Sequence, residues 1–204
     1  VGAKDTKFGF SSHDGTYLDA IGKVIESKHI EFEGIHCHVG SQIEDIVAYV
    51  LAMQKFVEFS YEIYDRYGVV IKKLNAGGGF GIQYTENDHP LDFDNVTKTI
   101  VNIVNTGFEA KGWPRPMILI EPGRFVVGNA GVTLYTVGSI KDIPRIRQYI
   151  SVDGGMNDNI RSALYAAKYD AIIVNKAEEE KDTLVTVAGK NCESGDILIK
   201  DIQM

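Results

Sequence analysis

Residues 69–80 are Val-Val-Ile-Lys-Lys-Leu-Asn-Ala-Gly-Gly-Gly-Phe, a short strand pattern that ends in three consecutive glycines. Glycine adopts positive φ without steric cost, so such a run lets successive backbone N–H groups turn towards one point. The run suits either a plain tight turn or a phosphate-binding loop, and we favour the phosphate. It is not a Walker A loop, because no Gly-Lys-Ser/Thr follows, and it does not fit the GxGxxG dinucleotide fingerprint.

Helix-like and strand-like patterns alternate on both sides of this strand. Apolar residues recur every three or four positions in three stretches, and a shorter β-like run follows each stretch. In chain order the pattern predicts a helix at 14–27, a strand at 30–39, a helix from 45 that Gly68 ends, a strand at 69–74, a helix around 96–104 and a strand at 117–120. Three helix-to-strand units predict an α/β fold with parallel strands. Periodicity leaves an open sheet and a closed barrel as alternatives.

Beyond Gly128 the pattern changes to β-branched and aromatic runs without a long helical period. We therefore place a boundary at 128–131 and predict two domains, residues 1–128 and residues 129–204, the second mainly β. Its predicted elements are strands at 132–140, 148–152, 171–174, 183–187 and 196–199 and a short helix around 159–167. The acidic run at 178–181 is interpreted as a hairpin turn.

Composition narrows the class of protein. The chain has 204 residues and a net charge of −7, which disfavours sequence-independent binding to nucleic acid or to an anionic membrane and favours a small-molecule partner. Its two cysteines, Cys37 and Cys192, form no disulfide framework or metal cluster and predict a reducing cytoplasm, although a single pairing stays open. No apolar run approaches the roughly 20 residues of a membrane span. The first residues include neither an initiator Met nor a signal peptide, and both ends look like cuts in a longer chain.

All three predicted α/β strands end in polar or glycine-rich segments, which are residues 35–41 (Ile-His-Cys-His-Val-Gly-Ser), 75–80 (Asn-Ala-Gly-Gly-Gly-Phe) and 121–124 (Glu-Pro-Gly-Arg). In parallel α/β proteins the carboxyl ends of the strands form the active site. The convergence of three such ends predicts a site at this edge.

His36 and His38 lie two residues apart, so strand alternation directs both side chains to one face. They could bind a metal, but no HExxH motif or cysteine cluster accompanies them, and we predict no metal. The remaining alternatives are a pair of interior histidines or an imidazole ring packed on an aromatic cofactor.

Glu121 follows an apolar strand directly, and Arg124 stands three residues later. A buried carboxylate needs a cationic partner. The two side chains could form an ion pair with each other, or Glu121 could meet a cationic ring nitrogen while Arg124 binds an anion.

Taken together, the motifs resemble the fold-type-III pyridoxal-phosphate-dependent decarboxylases over essentially the whole chain. The matching segments, in order, are 7–9 (Lys-Phe-Gly), 36–42 (His-Cys-His-Val-Gly-Ser-Gln), 77–79 (Gly-Gly-Gly), 121–124 (Glu-Pro-Gly-Arg), 152–156 (Val-Asp-Gly-Gly-Met), 161–165 (Arg-Ser-Ala-Leu-Tyr) and 192–196 (Cys-Glu-Ser-Gly-Asp). The resemblance implies part of a (β/α)8 TIM-like, alanine-racemase-like barrel followed by a mainly β C-terminal domain. It also implies a homodimer whose active sites are shared between subunits.

The resemblance further implies pyridoxal 5'-phosphate as cofactor, with Glu121 at the ring nitrogen and His38 stacked on the ring. The phosphate would be bound by Ser41, the three glycines and the loop after Glu121. The implied cofactor-binding residues are His38, Ser41, Gly77, Gly78, Gly79, Glu121, Pro122, Gly123 and Arg124.

Within the family, the last two motifs favour the branch that decarboxylates diaminopimelate to lysine. The implied substrate-binding residues are Arg124, Arg161, Tyr165 and Glu193, and the implied catalytic residues are Cys192, as proton donor, and His38. Ser162 departs from the family, which usually has proline there. Another amino-acid decarboxylase of this fold type (carboxynorspermidine, ornithine or arginine) or a non-catalytic homologue is the alternative.

The family's cofactor-bearing lysine would lie upstream of Lys7, and a cofactor-contacting tyrosine downstream of residue 204. Lys4 and Lys7 match other positions of the family and are not assigned this role. We therefore expect these 204 residues to be inactive alone.

Overall fold

The computed structural model of the protein describes residues 6–204, so Lys4 lies outside the described part of the chain. The chain divides into two compact units. The first unit contains the described residues up to Ile82 and residues His89–Ala130, and the second contains Gln83–Asp88 and Gly131–Met204.

The first unit alternates helices with short parallel strands. Its elements are α1 (Thr16–Glu26), β1 (Gly34–His36), α2 (Val47–Tyr67), β2 (Lys73–Asn75), α3 (Phe93–Glu109), β3 (Met117–Leu119) and α4 (Gly123–Val127). The strands form a parallel sheet in the order β1-β2-β3. The predicted α/β alternation and the parallel pairing are confirmed. Each observed strand is shorter than the stretch of sequence predicted to form it.

Local signals determine where the two long helices begin and end. Gly68 follows α2 in the left-handed region at φ 68° and donates its N–H to the Tyr64 carbonyl, as predicted for a helix-ending glycine. Asp92 caps α3 by accepting the Asn95 N–H at 3.0 Å.

The core of the first unit lies between the helices and the sheet. Apolar side chains at helical spacing on α2 and α3 pack in one cluster with the apolar side chains of β2 and of the segment that follows it. The large fully buried members are Tyr49, Met53, Ile63, Ile71, Leu74, Phe80, Val96, Ile100, Val104 and Phe108.

The second unit is built on a four-stranded mixed sheet. Its elements are β4 (Val137–Ile143), β5 (Arg147–Val152), α5 (Arg161–Tyr165), a 3-10 turn (Val174–Lys176), β6 (Leu184–Ala188) and β7 (Ile197–Gln203). Pairing is antiparallel between β4 and β5, parallel between β5 and β6, and antiparallel between β6 and β7. A small core forms around Ile150, Val152, Val185, Val187 and Leu198.

Two local predictions for this unit are wrong. Residues 171–174 are not a strand: Ile172 and Val174 are exposed, and the segment runs into the 3-10 turn. The acidic run 178–181 is not a hairpin turn, because β6 pairs in parallel with β5 and the intervening chain is a crossover. The β-branched residues of 171–174 find no partner strand, so their intrinsic preference is not realised.

Within residues 6–204, no helix is both long and apolar enough to cross a bilayer.

Phe108 is fully buried, and its ring meets Trp113, the single tryptophan of the chain, at a centroid distance of 5.6 Å. Phe108→Ala leaves a cavity, so we expect the free energy of unfolding to fall by about 3–5 kcal/mol. Urea denaturation followed by Trp113 fluorescence measures this loss. As a control, Phe10→Ala removes the same atoms from an exposed ring and should change the free energy by less than about 0.5 kcal/mol. Equal losses in both variants would contradict the core position of Phe108.

Candidate active site

The three parallel strands end in register at one edge of their sheet. His36 is paired with Asn75, and Asn75 with Leu119. Hydrogen bonds continue past the strand ends: Ala76 N donates to Leu119 O at 2.9 Å, and Glu121 N donates to Gly77 O at 2.8 Å. The loops after the strands are therefore held side by side, as the sequence predicts.

The glycine run allows these loops to touch through their backbones. Gly77 and Gly79 adopt positive φ, 69° and 91°. A Cβ on Gly78 would lie 2.0 Å from the Glu121 carbonyl oxygen, and a Cβ on Gly79 would lie 2.0 Å from the Gly40 carbonyl oxygen. Any side chain at these positions would push the loops apart, so Gly78 and Gly79 have a packing role that the sequence did not predict.

Tyr49 supports the glycine loop from the core. Its ring is stacked on Phe80 at 5.1 Å, and its hydroxyl donates to the Gly78 carbonyl at 3.1 Å. Burial raises the pKa of Tyr49 to about 12, so the hydroxyl remains a donor at physiological pH. The buried Gly78 carbonyl is thereby satisfied.

The Glu121 carboxylate is held by two side chains from the neighbouring strands. Asn75 Nδ2 donates to Glu121 Oε1 at 2.8 Å, and His36 Nε2 lies 3.5 Å from Glu121 Oε2. Asn75 Oδ1 also accepts the Gly77 N–H at 2.9 Å. The side-chain amide of Asn75 thus links the glycine run to the Glu121 carboxylate. Both His36 and Glu121 are exposed, so the carboxylate is accessible from solvent.

His38, predicted to contact a cofactor ring, is exposed beside the glycine run. Its Nδ1 accepts the Gly78 N–H at 3.4 Å. An accepting Nδ1 places the proton of a neutral imidazole on Nε2. The ring is therefore oriented by the backbone.

Arg124 is held by Gln42. Arg124 Nη1 donates to Gln42 Oε1 at 3.3 Å, while Gln42 Nε2 donates to the Ile82 carbonyl at 2.5 Å. Gln42 also accepts the Ile82 N–H at 3.3 Å. These contacts connect the loop after β1 to α4 and to the segment after β2.

A cavity of about 200 Å³ lies among these loops in the first unit. Its lining residues are His38, Ser41, Gln42, Gly79, Phe80, Glu121, Pro122, Gly123, Arg124 and Phe125. Most of the predicted cofactor-binding residues therefore meet at one surface. Gly77 and Gly78 are buried behind it and do not line the cavity.

In the second unit, the predicted substrate residues Arg161 and Tyr165 lie on α5. The Arg161 guanidinium is 5.6 Å from the Tyr165 ring centroid, and Arg161 Nε donates to the Tyr169 hydroxyl at 3.0 Å. Ser162, which stands where the family usually has proline, donates its hydroxyl to the Leu198 carbonyl at 2.8 Å. This bond ties α5 to β7 and can replace the rigidity of a proline.

Cys192 and Glu193 lie on an exposed loop that precedes β7. The Glu193 carboxylate accepts from the Ser194 hydroxyl and from the Gly195 N–H, both at 3.2 Å. Among the described residues, neither Cys192 nor Glu193 shares a hydrogen bond or ion pair with Arg161.

Sequence reasoning did not single out Asn75 or Gln42, although each contacts a predicted site residue. Both stand within motif segments, Asn75 in 75–80 and Gln42 in 36–42, and this position was the available signal. Their partners are main-chain groups and side chains distant in sequence, which periodicity does not identify.

Comparison with known proteins identifies the family. Residues 1–128 match the family described as "Pyridoxal-dependent decarboxylase, pyridoxal binding domain". The chain therefore belongs to the pyridoxal-dependent decarboxylases.

Individual relatives are more specific. The chain is 52% identical over its full length to the diaminopimelate decarboxylase of Bacillus subtilis (strain 168) and 48% identical to that of Bacillus methanolicus, covering 46% and 47% of them. Its fold is similar to the crystal structure of diaminopimelate decarboxylase from M. jannaschii in co-complex with L-lysine, with a TM-score of 0.85 and 31% identity over 98% of this chain and 45% of that one. The chain spans about half the length of the curated relatives it matches.

The two cysteines of the chain are both free thiols but differ in exposure. Burial raises the pKa of Cys37 to about 11, whereas Cys192 is exposed. Since the thiolate is the nucleophile, an aromatic disulfide reagent at about pH 8 should reveal one fast thiol and one at least about tenfold slower. Raising the pH towards the pKa of Cys37 should narrow the gap. Cys192→Ser should remove the fast phase and Cys37→Ser the slow one; two equally fast thiols would contradict this assignment.

Proposed function

We propose that this chain contains the cofactor-binding loops of a decarboxylase that converts meso-diaminopimelate to L-lysine and carbon dioxide, the last step of lysine biosynthesis. One observation carries the proposal: a carboxylate, Glu121, and a guanidinium, Arg124, line the same cavity. The similarity to diaminopimelate decarboxylases at 52% and 48% identity supports the choice of substrate.

The residues around the cavity fit pyridoxal 5'-phosphate. A ligand with a protonated aromatic nitrogen and a phosphate needs an anionic acceptor and a cationic or hydroxyl donor. Glu121 supplies the first, while Arg124 and Ser41 supply the second. His38 supplies a flat ring, with its orientation fixed by the Gly78 N–H.

When bound, pyridoxal phosphate supplies a conjugated ring that accepts the electron pair left as carbon dioxide departs. Glu121 would stabilise the positive charge on the ring nitrogen, and His38 would pack on the ring face. Asn75 would keep the Glu121 carboxylate oriented through its 2.8 Å hydrogen bond.

Phosphate binding would fall to Ser41, Gly79, Gly123 and Arg124. Gly79 borders the cavity, and no described residue accepts its N–H in a hydrogen bond. Gly77, Gly78 and Pro122 would contribute by shaping the backbone around the phosphate.

Substrate binding and proton return would use side chains that carry charge or an exposed thiol. Arg124, Arg161 and Tyr165 would hold the substrate, and Glu193 would bind its distal ammonium group. Cys192 Sγ would return a proton to the α-carbon. We propose a homodimer in which the Cys192 loop enters the partner subunit's site; the exposure of Cys192 and Glu193 supports this arrangement.

We further propose that residues 1–128 are part of a (β/α)8 barrel and that residues 129–204 belong to a β domain, in an enzyme of the reducing cytoplasm. The exposed apolar side chains of Met117, Val126 and Val127 support the first point, because further barrel elements would cover them. Among residues 6–204, no lysine lines the cavity, so the cofactor-bearing lysine would come from elsewhere in the protein.

Substrate specificity is tested on the full-length protein, meaning the complete product of the reading frame that encodes these residues. We expect release of carbon dioxide and formation of lysine from meso-diaminopimelate, and no turnover of ornithine, arginine or carboxynorspermidine. The 204-residue chain alone should be inactive. Turnover of only another amino acid would refute the substrate, and cofactor binding without any turnover would indicate a non-catalytic homologue.

Glu121→Gln preserves the shape of the side chain and the acceptor for Asn75 but removes the negative charge. We expect kcat of the full-length protein to fall roughly a hundredfold, because the charge on the ring nitrogen loses its partner. Steady-state kinetics and the cofactor absorption band measure the effect. Glu26→Gln, on an exposed carboxylate at the end of α1, is the matched control and should retain activity. Equal kcat values in both variants would remove Glu121 from the mechanism.

A further inference from the structure

Asp196 is the only charged side chain that is buried among residues 6–204, at 2% exposure. It forms no ion pair with any described lysine, arginine or histidine. A carboxylate removed from water without a cation requires strong hydrogen bonds from other groups. Those donors are therefore the reason that it is tolerated.

Both carboxylate oxygens accept main-chain N–H groups. Met156 N donates to Oδ1 at 2.6 Å, and Asn191 N donates to Oδ2 at 2.8 Å. Two glycines leave room for this carboxylate: a Cβ on Gly189 would lie 2.2 Å from Oδ2, and one on Gly155 would lie 2.7 Å from it. Glycines thus form the walls of the carboxylate site.

The two donors belong to different loops, and further bonds join the same loops. We call residues 189–196 the cysteine loop and residues 153–158 the Asp-Gly-Gly loop. Lys190 N donates to Gly154 O at 2.9 Å, and Asn191 Nδ2 donates to Asn157 Oδ1 at 3.0 Å. The Asp196 carboxylate lies in the middle of this connection, because it is bonded to both sides.

We propose that Asp196 is a positioning residue that holds the cysteine loop in fixed register with the Asp-Gly-Gly loop. The first loop carries Cys192 and Glu193, and the second leads into α5 with Arg161 and Tyr165. Asp196 thereby fixes the position of the proton donor and the distal-end residue, which serve the partner subunit's site in the proposed homodimer, relative to the rest of the second unit. This inference rests on the proposed function for the roles of those four residues.

An aspartate suits this position better than the isosteric asparagine. Asp196 faces two N–H donors and accepts with two oxygens, whereas asparagine has one oxygen and one NH₂ group. In Asp196→Asn, one main-chain N–H would face another donor, and a buried donor without an acceptor destabilises its loop. The substitution therefore tests the connection without changing side-chain size.

The experiment measures amide hydrogen exchange and steady-state kinetics on the full-length protein. We expect Asp196→Asn to speed exchange at least about tenfold in both loops and to leave α2 unchanged. We also expect kcat/KM for meso-diaminopimelate to fall between about tenfold and a hundredfold, with kcat reduced and KM increased, because displaced groups bind and react poorly.

Asp92→Ala is the structural control, since it removes a carboxylate bond to the Asn95 N–H in the first unit. It should lower the melting temperature while leaving kcat/KM and the exchange of both loops within about twofold. Asn191→Ala retains the main-chain donor, removes the bridge to Asn157 and should shift exchange in both loops more weakly. If Asp196→Asn does not fold, exchange in the wild type decides the question: the Met156 and Asn191 N–H groups should exchange at least about tenfold more slowly than the other amides of the two loops, and equal exchange would overturn the proposal.

Unchanged exchange in the Asp-Gly-Gly loop would overturn the proposal, as would faster exchange in both loops with unchanged kcat/KM. The activity of the wild-type protein shows whether the positioning role or the proposed function has failed. If the wild type does not convert meso-diaminopimelate, the function is wrong; if it does and the variant behaves like Asp92→Ala, the positioning role alone is wrong.

Discussion

The candidate cofactor site depends on a close backbone contact at the carboxyl edge of the parallel sheet. The Gly78 backbone lies against the Glu121 carbonyl, and the Gly79 backbone lies against the Gly40 carbonyl, so neither position has room for a Cβ. Because the strands are in register, this contact brings the loops after all three strands together. Loops separated by a side chain could not place His38, Glu121 and Arg124 around one cavity.

Polar side chains stabilise that arrangement on the cavity side, and an aromatic pair supports it on the core side. Asn75 bonds both to the glycine run and to Glu121, while Gln42 links Arg124 to the backbone of Ile82. On the other side, Tyr49 is stacked on Phe80 and satisfies the Gly78 carbonyl. The side chains of the candidate site are therefore oriented by groups that contact them directly, which limits their conformational freedom.

The second unit uses a similar principle with different chemistry. A buried carboxylate, rather than a strand edge, joins two of its loops, and the Ser162 hydroxyl joins α5 to β7. Each of these bonds pairs a part-buried main-chain group with a side-chain partner. Residues proposed to bind substrate are carried by the segments that these bonds connect.

Sequence alone determined much about this protein because its strongest signals are local. Helical spacing, the helix-ending Gly68 and the apolar run at 117–120 predict the α/β alternation, and the ordered motifs predict the family. Only the tertiary structure decided how each site is held. Ile172 and Val174 favour a strand but find no partner, and Asn75, Gln42 and Asp196 act through atoms distant along the chain. Pairing and hydrogen bonding between remote segments depend on three-dimensional proximity, which local propensity and periodicity do not encode.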